Sequence, residues 1–154
     1  CAAPGGAAAG VAHRQAEIAD QQRKILGQQA DTDAARLKGE LFEKRFAVYE
    51  GVKSFLSAIV REGGDPGGNY AQGFLVSMDQ SKFLYRSQVS QDLQKIWETC
   101  CNGFANKSVM KANYERTGEY GAECIDKEYK FSLWSYEQLT KLSDLFGDEL
   151  RISA

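Results

Sequence analysis

The sequence contains one histidine, two prolines and two tryptophans, and no uncharged apolar run in its 154 residues reaches 18. A bilayer crossing needs about 20 consecutive apolar residues, so no membrane-spanning helix is written into the chain itself. The lone histidine, His13, stands in a polar N-terminal stretch with no apolar neighbours to build a site around it. A Ser-His or Cys-His catalytic pair needs a base beside its nucleophile, and that requirement all but removes such a triad. An excess of positive charge is also missing: 19 Lys and Arg stand against 21 Asp and Glu, for a net charge of -2. Non-specific nucleic-acid binding rests on a basic field, so no nucleic-acid partner is expected.

The four cysteines, Cys1, Cys100, Cys101 and Cys124, contain no CxxC spacing. Adjacent Cys100 and Cys101 on a helix point about 100° apart and cannot easily share a tetrahedral metal. They read as reduced, structural thiols, which favours a cytoplasmic setting over an oxidising one. Cys1 itself leaves two readings open. It is the lipid-bearing first residue of a periplasmic bacterial lipoprotein with the Ala/Gly run behind it as a tether, or the edge of a longer chain.

What the sequence does have is helical periodicity. Residues 1–12 are small, uncharged and Gly-rich, and read as a disordered tether. Residues 13–36 form a helical stalk rich in Gln, Ala and charge, in which Ile18 and Ile25 lie seven apart and Ala30, Ala34, Leu37, Leu41 and Val48 follow a heptad-like spacing. Gly27 and Gly39 weaken that stretch by about 1 kcal/mol each relative to Ala.

Residues 37–150 read as a helical bundle domain, and 151–154 as a tail. Its first helix carries Leu37, Leu41, Val48, Val52, Phe55 and Ile59 inward, with Phe42, Phe46, Tyr49, Leu56 and Val60 widening the stripe, and ends at the Gly63-Gly64-Asp65-Pro66-Gly67-Gly68 break. The second, Tyr70 to Tyr85, turns Ala71, Phe74, Leu75 and Met78 inward. Ser87 is the expected N-cap of the third, whose inner face is Val89, Leu93, Ile96, Cys100 and Phe104. The last carries Ile125, Tyr129, Leu133, Tyr136, Leu139, Leu142 and Phe146 on one face and ends near Gly147. The fold class expected is all-α: an antiparallel bundle of about four helices, the first extended N-terminally as a stalk or weak coiled coil.

Motifs that would carry chemistry are incomplete. Gly68 to Gly73 has the spacing of half a phosphate loop, but Phe74 and Leu75 stand where Lys and Ser/Thr are required. Asp31 with Asp33, Glu40 with Glu43, and Glu123 with Asp126 are carboxylate pairs lying among Lys, Arg and Gln, where nothing raises a pKa. Phe42, Phe46, Tyr49, Phe55, Phe83, Tyr85, Trp97, Phe104, Trp134 and Tyr136 fill a core, or line an aromatic cavity for a small ligand or an enzyme's substrate. Lys82, Arg86, Lys107, Lys111 and Arg116 are interleaved with acids and read as a solvated mixed-charge face. No catalytic, cofactor-binding or metal-ligating residue, and no cofactor, is assigned.

The stretch Arg14-Gln15-Ala16-Glu17-Ile18-Ala19-Asp20-Gln21-Gln22, the stretch Leu41-Phe42-Glu43-Lys44-Arg45-Phe46-Ala47-Val48-Tyr49-Glu50, and Lys82-Phe83-Leu84-Tyr85 with the closing Leu145-Phe146, together resemble a group of bacterial proteins. Members of that group have an N-terminal membrane helix, a Gln/Ala/Glu-rich helical stalk and a small helical domain. The resemblance implies a tether upstream of residue 1 at the bacterial inner membrane, a domain on the cytoplasmic side near Arg14, Arg23 and Lys24, and no particular activity. The function expected is non-catalytic: association with an unknown protein partner, or self-association through the stalk.

Overall fold

A computed structural model describes residues 5–151, and every regular element among them is helical: α1 (Gly5–Glu62), α2 (Gly68–Leu84), α3 (Ser87–Thr117), α4 (Ala122–Phe146) and a closing 3-10 turn, Gly147–Leu150. The roles read for Cys1 and for the tail at 152–154 lie outside the described residues. The chain divides at Glu40/Leu41 into two units, one helical turn beyond the boundary read from the sequence.

The first unit is helix alone. It begins at Gly5, so residues 5–12, read as a disordered tether, continue the helix. The physical reason is the Ala7-Ala8-Ala9 run, since Ala has the highest helix propensity and here outweighs the flanking glycines. No side chain of residues 5–40 is buried. Its support is local: Asp20 with Lys24, Asp33 with Arg36 and Arg36 with Glu40 form ion pairs three or four residues apart.

The second unit is an antiparallel four-helix bundle, its first member being the part of α1 from Leu41 onward. Val48, Val52, Phe55, Leu56 and Ile59 of α1 meet Phe74 of α2, Val89, Leu93, Ile96 and Cys100 of α3, and Phe131, Leu142 and Phe146 of α4. Phe55 is the hub, its ring 4.8 Å from Phe74, 5.8 Å from Trp97 and 6.4 Å from Phe104.

Two close crossings depend on missing side chains. A Cβ on Gly51 would stand 2.0 Å from Ser77 Oγ, and one on Gly103 would stand 2.6 Å from the Phe131 ring. Three serines are buried, Ser77 and Ser81 on α2 and Ser135 on α4, and both Ser81 and Ser135 hydrogen-bond back to their own helix.

The helix ends follow turn chemistry. Gly63 (φ 71°) closes α1, Asp65 accepts a hydrogen bond from the Gly67 amide in the break, and Gly118 (φ 76°) caps α3 in the left-handed conformation. Ser87 is not a cap: Arg86 holds the N-cap position, and its backbone amide donates instead to the Glu149 carboxylate.

The inner faces expected for α1 and α3 agree with the structure from Val48 onward, while Leu37, Leu41, Phe46 and Val60 are exposed. On α2, Phe74 is inside and Leu75 outside. The largest correction concerns α4. Ile125, Tyr129, Leu133 and Tyr136, read as core, are exposed, and the inner face is Phe131, Ser135, Leu142 and Phe146. Helix α4 carries two apolar stripes at helical spacing, and periodicity alone cannot rank them. The contact of Phe131 with the bare backbone of Gly103 fixes which one goes in.

Candidate functional site

The residues weighed as catalytic do not converge. Asp33 and Glu40 flank Arg36; Glu123 pairs with Lys127 and Asp126 with Lys130. All are solvated carboxylates answered by cations three or four residues along their own helices. Gly68 to Gly73 forms the opening turns of α2, with no lysine following. Lys82 pairs with Asp79, Arg86 with Glu149 and Lys107 with Glu128. Arg86 and Arg116 bracket α3, a helix about 45 Å long, so the basic residues form no single patch. Among the described residues no cluster of three His, Cys, Asp or Glu could hold a metal, and no helix is long and apolar enough to cross a membrane.

The aromatic residues divide. Phe55 and Tyr85 are buried, and Tyr49, Trp97, Phe104 and Trp134 pack partly buried against the core. Phe83 and Tyr136 are exposed, at 83% and 59%. They line no common cavity. One concavity is a groove between α3 and α4 of about 460 Å³ walled by Lys95, Trp134, Gln138 and Lys141, with Arg86, Asp92 and Asp144 at its edges, and a larger one of about 660 Å³ lies beside Phe104, Lys111, Tyr114 and Tyr120. The α3/α4 groove continues past Thr99 and Trp134 toward Phe131 and Asn106. Arg86, Lys95 and Lys141 outnumber Asp92 and Asp144 along it, and its continuation adds Lys127 and Lys130, but no buried polar group converges on it to define a ligand.

Two polar junctions hold the bundle ends. At one, Arg45 Nε donates to the Leu84 carbonyl at 2.8 Å and Nη1 to the Glu149 carbonyl at 3.1 Å, while the Tyr85 hydroxyl donates to the Arg45 carbonyl at 2.7 Å. Glu149 Oε1 stands 3.7 Å from Arg86 Nε, an ion pair longer than a hydrogen bond. Burial drives the Tyr85 hydroxyl well above the usual phenol range, with Arg45 opposing. At the other junction Lys107 donates to the Gly63 carbonyl and lies 3.6 Å from Glu128, tying the end of α1 to α3 and α4. Sequence reading missed both, because an isolated Arg or Glu on a helix carries no mark of what the fold will bring to it.

Of the cysteines, Cys100 lies in the core as its periodicity implies, and burial pushes its thiol up to about 12. Cys101 is exposed and raised, first by partial burial and then by Asp65 and Glu98; Cys124 is half-buried and accepts a contact from Asn113. For Cys100 and Cys101 the shift is away from the thiolate, the form that reacts.

The surface that stands out is not a cavity. On the outer side of α4, Ile125 is 52% exposed, Tyr129 64%, Leu133 49% and Tyr136 59%. Aromatic residues gathered on one uncharged helix face are characteristic of protein contact surfaces. Comparison with protein-family models, with curated proteins and with solved structures finds no match to this chain.

Proposed function

We propose that this chain is a non-catalytic helical module that works by protein association, beginning with its own copies through the first unit. The observation that carries the reading is a helix from Gly5 to Glu40 in which no side chain is buried, including Val11, Ile18, Ile25, Leu26 and Leu37, each more than half exposed. Most helical stability in proteins comes from packing an apolar face rather than from propensity, and the ion pairs of this stretch contribute only about 0.2–0.5 kcal/mol each. Burial of Val11, Ile18 and Ile25, seven residues apart, against a second helix supplies the missing stabilisation.

Sedimentation of the whole chain over a range of concentrations tests it. The parent should exceed the monomer mass, and Ile25→Ser with Leu37→Ser should lower that mass without unfolding the bundle, because neither residue enters the core. A monomer mass for the parent at every concentration rejects the reading. Anchoring at the cytoplasmic face of a bacterial inner membrane belongs to the same proposal and is supported by the resemblance over most of residues 14 to 150. Fractionation of cells expressing the native reading frame tests that part: recovery with the inner membrane supports it, and recovery elsewhere rejects it.

A further inference from the structure

We infer that a second copy of this chain docks on the outer face of α4, antiparallel, about a two-fold axis passing between residues 133 and 134. This surface is separate from the first unit and does not rest on the reading given for it.

From Ala122 to Ser143 the outward stripe of α4 carries no charged residue, and Ile125, Tyr129, Leu133 and Tyr136 project from it half to two-thirds exposed. With aromatic side chains of 150–250 Å² each, these four offer roughly 400 Å² per copy, or about 800 Å² from two. Ser132, Thr140 and a bordering row of charges bring the total close to the ~1,000 Å² that separates specific association from casual contact. An interface of that size is a weak, micromolar one.

The charge row decides the occupant and its direction. Along one border of the stripe, on positions 100° to 140° or 160° round the helix from Ile125, stand Asp126, Lys130, Glu137 and Lys141. Antiparallel helices bring the same border of each copy together in reversed order. With the axis between 133 and 134, Asp126 faces Lys141 of the second copy, and Lys130 faces Glu137. Parallel packing about a two-fold axis sets this border against the opposite border of the second copy, where Ser132 and Leu139 stand and offer these charges no ionic partner. Lys141 has no ion-pair partner among the described residues, and Lys130 is held at 2.8 Å by Asp126 of its own helix. The outermost pair, Glu123 and Asp144, meets as like charges at exposed ends where solvent screens it. Such pairs fix register and orientation, while the aromatic stripe supplies affinity.

Cysteine cross-linking reads the geometry directly. In a full chain with Cys1, Cys101 and Cys124 changed to Ser, Leu133→Cys lies at the axis and should form an intermolecular disulfide under mild oxidation. Ile125→Cys should not, because the arrangement puts its two copies about 25 Å apart and a disulfide needs Cα atoms within about 7 Å. Tyr136→Glu should cut the Leu133→Cys dimer about tenfold at unchanged helicity. Leu133→Cys removes part of the stripe, so a second measurement leaves that stripe intact. By sedimentation of the Ile25→Ser/Leu37→Ser chain, Lys130→Glu and Glu137→Lys should each weaken the remaining dimer several-fold, and the double swap should restore it. Equal cross-linking at 125 and 133, or a chain that is monomeric in that background and unaffected by the swaps, overturns the inference. Neither outcome bears on association through the first unit, which is read from the fall in mass between the parent and the Ile25→Ser/Leu37→Ser chain.

Discussion

Gly27 and Gly103 both lie inside α-helices, yet an added methyl group meets nothing within 4 Å at the first and stands 2.6 Å from the Phe131 ring at the second. In the first unit the helix answers only to local propensity, so a glycine there is a plain loss of about 1 kcal/mol relative to Ala. In the bundle the same residue is the condition for two helices to approach, and its propensity cost is outweighed by the packing it allows. One polypeptide thus contains a region whose energetics are one-dimensional and a region whose energetics are set by fit.

The strongest way to sharpen that contrast is to hollow the hub. Phe55→Ala should destabilise the bundle by about 3–5 kcal/mol in denaturant titration, the range for a fully buried phenylalanine, while Ile18→Ala should leave the same transition unmoved. Next, Gly103→Ala should cost about 1–3 kcal/mol, because the Phe131 ring must leave its position. If Gly103→Ala is neutral or stabilising in thermal unfolding, the close α3/α4 crossing is wrong.

Alkaline pH separates the units through buried protons. The folded Cys100 thiol titrates near 12, above the ordinary thiol range of about 8.5, so its contribution to stability is complete below that range and is lost as pH rises toward 12. The expected slope is about 1.4 kcal/mol per pH unit from this group alone, with buried Tyr85 adding to it at the upper end. Cys100→Ala should flatten the lower part of that slope in unfolding curves at pH 9 to 11. The smallest effect is expected at Gly27→Ala, which should raise the helicity of the first unit by up to about 1 kcal/mol while bundle stability stays constant. Amide exchange resolves it: slower exchange should be confined to residues near 27.

Much of the bundle was legible. On α3 the spacing of Val89, Leu93, Ile96 and Cys100 marks a single apolar stripe with charged residues elsewhere, so only one face could go inside, and it did. The break at Gly63 to Gly67 was equally readable, since few residues other than glycine adopt positive φ. Less of the surface was legible. Ser77, Ser81 and Ser135 are buried although serine is usually exposed: Ser77 stands against the bare backbone of Gly51, and the hydroxyls of Ser81 and Ser135 are satisfied on their own helices. Arg45 and Lys107 donate to backbone carbonyls and Glu149 accepts from a backbone amide, each tens of residues away, and no local pattern announces such partners.

Local chemistry along the chain determined that this protein is helical, where each helix of the bundle stops, and which side of α3 is apolar, because those properties depend on neighbours within one or two turns. Tertiary structure decided which of α4's two apolar stripes is core and which faces outward. A helix can present both stripes equally well until another helix arrives, and the space left by Gly103 admitted Phe131, turning Tyr129 and Tyr136 to the surface.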